Sequence, residues 1–125
     1  MSTMKTRGQI EAEISEALTK FEIEYMGRGP EEAKTCLMDD IVFVRLRGVL
    51  TPAEKQLAKA DGALRGRALI KQVRIELLEK ARSLLESIVH DITGRKVQSL
   101  HTDISTVTGE RVIIFTLDGR PAFEE

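Results

Sequence analysis

Apolar residues recur at Ile10, Ile14, Ala17, Leu18, Phe21 and Tyr25, a set that shares one stripe of a 3.6-residue helix. Glu11, Glu13, Glu16, Glu22 and Glu24 fall largely off that stripe, so the spacing predicts an amphipathic helix over Gln9 to Met26 with a solvated acidic face. Gly27 offers a left-handed cap, and Pro30 cannot continue the helix. The period then changes to two. Ala33 to Met38 and Ile41 to Arg47 read as strands joined by a tight turn at Asp39 and Asp40, the second rich in β-branched and aromatic residues.

"LTPAE" is the clearest helix start: Thr51 at the N-cap, Pro52 at the first helical position and Glu54 placed to close a capping box. That helix is expected over Pro52 to Ala60. Asp61, Gly62 and Gly66 weaken the pattern before a long helix at Arg67 to Asp91, whose apolar face holds Ile70, Val73, Leu77, Leu78, Ala81, Leu84, Leu85 and Ile88. Gly94 caps its end. Lys96 to Ile104 and Arg111 to Leu117 read as a second hairpin with Thr108 and Gly109 in its turn.

The expected fold is therefore α+β, in the order α-β-β-α-β-β, with two antiparallel hairpins forming a sheet packed on the N-terminal helix and the long central helix. The 125 residues read as one domain, with 1–8 and 119–125 as loose tails. "VFVRLRG" at Val42 to Gly48 and "IIFTLDG" at Ile113 to Gly119 share an alternation and a closing glycine. The chain thus repeats an architecture, through duplication or because hairpins and capped helices impose the same pattern.

Composition narrows the classes of function. Nineteen basic residues against twenty acidic ones leave a net charge of −1, so no global field draws in nucleic acid or an anionic membrane. "IVFV" and "VIIF" are the longest apolar runs, far too short to cross a bilayer, and "MSTMKTRGQ" lacks the apolar core of a signal peptide. A cytoplasmic location is expected, with attachment to the inner face of the membrane as an alternative. One cysteine, Cys36, excludes an internal disulfide, and it reads as a packed strand residue. His90 and His101 have no metal-site spacing, so neither a metal nor another cofactor is expected. His90 falls in the last turn of the long helix, where the dipole favours a cation.

"LHTDISTVTGERVIIFTLDG", Leu100 to Gly119, concentrates the polar chemistry. His101, Asp103 and Ser105 share a strand face, but like-facing neighbours stand about 7 Å apart, which does not itself put the serine against the histidine. The segment reads as the polar rim of a hairpin, with no catalytic residue, and the chain as a non-enzyme. Its alternative is a small-ligand site at Arg28, His101, Asp103 and Arg111, where cations near turns would meet an anion such as bicarbonate or phosphate. A local basic patch lies in "LRGRALIKQVR", with Arg65, Arg67, Lys71 and Arg74, and makes nucleic-acid or nucleotide-phosphate binding the alternative function. The patch has no interleaved aromatics for base stacking, so nucleic acid is not the expected partner.

A self-associated chain, most simply a dimer, is expected on size. The long helix would run about 37 Å, the full width of a domain of this length, and both faces of "IVFVRL" and "VIIFTL" carry apolar side chains that one set of helices cannot cover.

"YMGRGP", "DDIVFVRLRGVLTPAEKQLA" and "HTDISTVTGERVIIFTLD" resemble the signature segments of the small bacterial MpsC family, over about Gly8 to Asp118. The resemblance implies a link to a sodium-translocating, membrane-potential-generating system associated with inorganic-carbon uptake. It implies a soluble accessory or regulatory component, partnered with membrane transport subunits and acting by protein or small-ligand binding. It brings no catalytic residues.

Overall fold

The computed structural model describes residues 4–59 and 63–124. Helix α1 (Arg7–Met26) leads into strands β1 (Glu32–Met38) and β2 (Ile41–Arg47); α2 (Pro52–Lys59) and α3 (Ala63–Thr93) follow, then β3 (Val97–Ile104) and β4 (Arg111–Leu117). The strands form a single antiparallel sheet in the order β1-β2-β4-β3, so the two hairpins join through their inner strands. Phe43 pairs with Ile114 in that central ladder. These two positions also correspond in the repeated "VFVRLRG" and "IIFTLDG" segments, so the sheet has a local two-fold relation between its halves.

The caps are built as their residue types dictate. Thr6 and Gln9 make a reciprocal capping box at the start of α1, which therefore begins two residues before the expected Gln9. Gly27 closes α1 at φ 78°, and Asp39 takes φ 58° in the two-residue turn of the first hairpin. Thr51 and Glu54 close the box of α2. The expected end of α2 at Ala60, and the weak points Asp61 and Gly62, lie outside the described residues.

Gly66 does not interrupt α3. It lies inside the helix, where a Cβ would come within 2.1 Å of the Leu57 carbonyl oxygen. Its missing side chain allows α2 and α3 to touch backbone to backbone, at the cost of helix propensity.

The core lies between the helices and one face of the sheet. Ile10, Ile14, Leu18 and Phe21 from α1 and Ile70, Leu78, Ala81, Leu85 and Val89 from α3 meet Leu37, Val42, Val44, Leu46, Ile113, Phe115 and Leu117. Tyr25, placed on the same stripe, is exposed and stacks on Phe21 at 4.7 Å between ring centroids. The helical face of α3 is only partly covered: Val73 and Leu84 remain exposed. Within the segments expected as loose tails, 1–8 and 119–125, the described residues 4–8 and 119–124 make contacts. Glu124 N–H donates to the Lys5 carbonyl, Thr6 bridges Glu124, Pro121 is buried and Phe123 packs on the core.

Candidate functional site

Two features stand side by side at the end of the sheet where the hairpin β3–β4 turns and β2 runs into α2. The first is a buried ion network. Glu22 is fully buried, which corrects its expected place on a solvated acidic face. Residue 22 follows Phe21 and Leu18 by one and four positions, so it sits at the border of the apolar stripe, and tertiary packing draws it inward. Its carboxylate accepts from Arg111 Nη1 at 3.0 Å and from Arg74 Nη1 at 3.3 Å. Arg74 also grips Glu54 through two hydrogen bonds, Nε to Oε2 at 2.8 Å and Nη2 to Oε1 at 2.7 Å, and donates to the Val49 carbonyl. Arg111 Nε reaches the Thr102 hydroxyl, which donates to the Val112 carbonyl.

Two arginines thus face two glutamates, the arrangement a buried charge requires. Burial pushes the Glu54 carboxyl up, but hydrogen bonds from Arg74 and Thr51 and the Arg74 charge outweigh it, leaving its pKa below the ordinary value. Burial opposes the charge of Arg74 too, and the two glutamates raise its pKa on balance. At Arg111 burial wins, aided by the nearby Arg74 charge, and its pKa falls below the usual guanidinium value despite Glu22. Arg74 is therefore a core residue, which removes it from the basic surface patch expected at Arg65 to Arg74.

The second feature is a cleft of about 540 Å³ between α2, the start of α3, the open end of the first hairpin and the turn of the second. Gly48, just past β2 at the open end of the first hairpin, and Gly109, in the turn of the second, take φ 67° and 75°, and the Val49 N–H donates to the Gly109 carbonyl at 3.1 Å. Both backbones need the left-handed region, and at Gly48 a Cβ would also strike the Glu31 carboxyl group at 2.6 Å. Lys55 and Lys59, one helical turn apart on α2, and Arg67 from α3 line the cleft, with Leu50, Ala58 and Val107 as apolar walls. Glu31 is the acid on its lining, and Arg28 lies 3.4 Å from it. No α2 residue is fully buried, and the Glu54–Arg74 grip, the close approach at Gly66 and the packing of half-buried Ala58 on the core hold this wall of the cleft in place.

Residues 6–119 match the family model described as Na+-translocating membrane potential-generating system (MpsC). This chain belongs to the MpsC family. The uncharacterised protein YbcI of Bacillus subtilis (strain 168) is 46% identical over 113 residues, spanning 90% of this chain and 89% of that protein. No solved structure matches.

In this MpsC family member the four site residues expected from sequence do not converge. Asp103 and Arg111 line one small cavity of about 50 Å³ with Lys71 and Arg74. Asp103 sits on edge strand β3 and accepts from the Ile104 N–H at 2.8 Å and from Lys71 Nζ at 3.4 Å. His101 is exposed on the sheet face opposite the helices, paired with Ile114, and Arg28 lies in the loop after α1 beside Glu31. Ser105 accepts from the Thr108 N–H at 3.1 Å, a turn contact that leaves it out of any arrangement with His101. Sequence reasoning missed Glu22 and the α2 lysines, and it placed Arg74 on a basic surface patch where the structure buries it. Glu54 was placed as a cap, and its second role as the clamp on Arg74 had no signal in local spacing. Lys55 and Lys59 had one, the i, i+4 pair of cations.

Proposed function

We propose that this chain is an accessory, non-catalytic component of a Na+-translocating membrane-potential-generating system, and that it works by binding an anionic small ligand in the α2 cleft. The observation that carries the reading is the trio Lys55, Lys59 and Arg67 around a cleft with apolar walls, a combination that recognises a carboxylate or phosphate on a partly apolar molecule. The clamp behind it supports binding over proton transfer: guanidiniums stay charged across the physiological range, and Glu54 is held below its ordinary pKa. Among the described residues no helix is long and apolar enough to cross a membrane, which fits a component that works beside transport subunits, on the cytoplasmic side. Nucleic-acid contact along Arg65 to Arg74 has less support, because Arg74 is spent in the core and Lys71 is paired with Asp103.

The test is complementation. Cells lacking the gene lose part of their Na+-dependent membrane potential, read with a potentiometric dye, and the wild-type gene restores it. A Lys55→Glu/Lys59→Glu variant, altered only at exposed positions, fails to restore it. An unchanged potential in the deletion strain overturns the context, and full rescue by the charge-reversed variant overturns the cleft.

A further inference from the structure

The core cluster joins α1 and α3 to one face of the sheet, and among the described residues nothing covers the other. That bare face is apolar at its centre, where Ile41, Phe43, Val112 and Ile114 are half-buried and Cys36 lies beside Phe43. We infer that this face is a two-fold interface with a second copy of the chain, the symmetry axis running parallel to the strands.

The ladder register sorts the face into rows. Across β1, β2, β4 and β3, one row reads Lys34, Arg45, Val112, Asp103. The middle row is Cys36, Phe43, Ile114, His101, and the third begins with Met38 and Ile41. Charge is therefore gathered at one end of the face, in this row, with two cations at its β1–β2 end and the acid at its β3 end, and in the row beyond it, where Glu32 pairs with Arg47 and Arg47 reaches Glu110. Neither Lys34 nor Arg45 has an ion-pair partner among the described residues. Asp103 belongs to this face by register, but its carboxylate is turned round the sheet edge to Lys71 of α3 at 3.4 Å; 73% of the side chain is exposed, so a rotamer change returns it to the bare face.

Two ways of laying a second copy face to face keep the strands aligned, as sheet packing prefers. An axis across the strands sets each hairpin on its own counterpart and turns the charged row onto the third row, which presses Lys34 and Arg45 against Met38 and Ile41. Burying cations on apolar groups is costly. An axis along the strands turns each row onto itself in reverse. Lys34 then meets Asp103 of the second copy, twice by symmetry, while Phe43 meets Ile114 in the centre. Electrostatics selects the second arrangement, an isologous contact with an apolar centre and a charged rim. The inference stands whether or not the α2 cleft takes an anion, since the cleft lies at one end of the sheet, beside α2 and the β3–β4 turn.

Sedimentation equilibrium over roughly 1–100 μM should give twice the 14.0 kDa chain mass. Phe43→Arg should yield a monomer with unchanged far-UV circular dichroism, and Ile114→Lys serves as a second variant should the first not fold. One charge-reversed copy carries Lys34→Glu and Arg45→Glu, and another carries Asp103→Lys. Each alone repels itself and should lose about tenfold or more in self-association, whereas an equimolar mixture should recover dimer, because the two reversed rows complement each other. A wild-type monomer throughout this range overturns the inference. So does a dimer indifferent to Phe43→Arg and Ile114→Lys, which would place the contact on the exposed α3 residues Leu69, Val73 and Leu84. Charge-reversed copies that pair as well alone as together overturn the proposed axis.

Discussion

Glu22 and Arg111 lie 89 positions apart in the chain and meet at 3.0 Å inside the core, with side-chain exposures of 0% and 2%. The pair ties the last turn but one of α1 to the start of β4, and Arg74 extends it through Glu54 to α2. One ionic cluster therefore spans both halves of the chain.

Removing one member of such a cluster leaves an opposite charge buried without compensation. Glu22→Gln keeps the side-chain shape but leaves Arg74 and Arg111 facing only Glu54, and we expect a loss of about 3–5 kcal/mol in unfolding free energy. Urea denaturation of the two proteins checks this. A loss under about 1 kcal/mol would mean that water reaches the cluster and screens it.

Gly66→Ala reverses a familiar sign. In an open helix interior the change stabilises by about 1 kcal/mol. Here the new methyl group would stand 2.1 Å from the Leu57 carbonyl oxygen, a backbone atom with no rotamer to yield. The variant should be less stable by about 1–3 kcal/mol. Hydrogen exchange should also rise across α2, because that helix loses its close seat on α3. A raised melting temperature would refute the backbone contact.

The pH dependence follows from Glu54. Its folded pKa lies below the ordinary value of 4.5, so the unfolded chain binds the proton more readily than the folded one. The stability it contributes is complete above about pH 5 to 6 and is lost as pH falls through 4.5 toward the folded value. Glu54→Gln should remove this part of the acid slope while lowering stability at pH 7. Denaturation series from pH 7 to about pH 3 compare the slopes. Parallel slopes would count against the clamp.

Ser105→Ala should change little. Its hydroxyl supports the turn through one bond to the Thr108 N–H, worth about 1 kcal/mol or less. The variant should melt close to the wild type and restore the Na+-dependent potential in the complementation assay. Loss of that potential by a stably folded Ser105→Ala protein would return chemistry to the second hairpin.

The order of elements, the hairpins and most caps are local properties, and the sequence by itself determined them. Period-two and period-3.6 apolar spacing is set by strand and helix geometry, and Thr51, Gly27, Gly94 and the Asp39-Asp40 turn act within a few residues of themselves. Gly66 shows where local reasoning ends. Its propensity argues against a helix, yet packing on Leu57 makes its missing side chain the reason two helices can touch. The same holds for the charges. Glu22, Glu54, Arg74 and Arg111 read in sequence as a solvated face, a cap, a basic patch and a hairpin cation, and each reading is sound for its own neighbourhood. Only the tertiary structure decided that β2 pairs with β4, which brings the start of β4 beneath α1 and α3 and puts all four side chains within reach of one another. Strand pairing and ion pairing across 89 positions depend on which surfaces are left to cover once the local elements exist, and no periodicity in the chain encodes that distance.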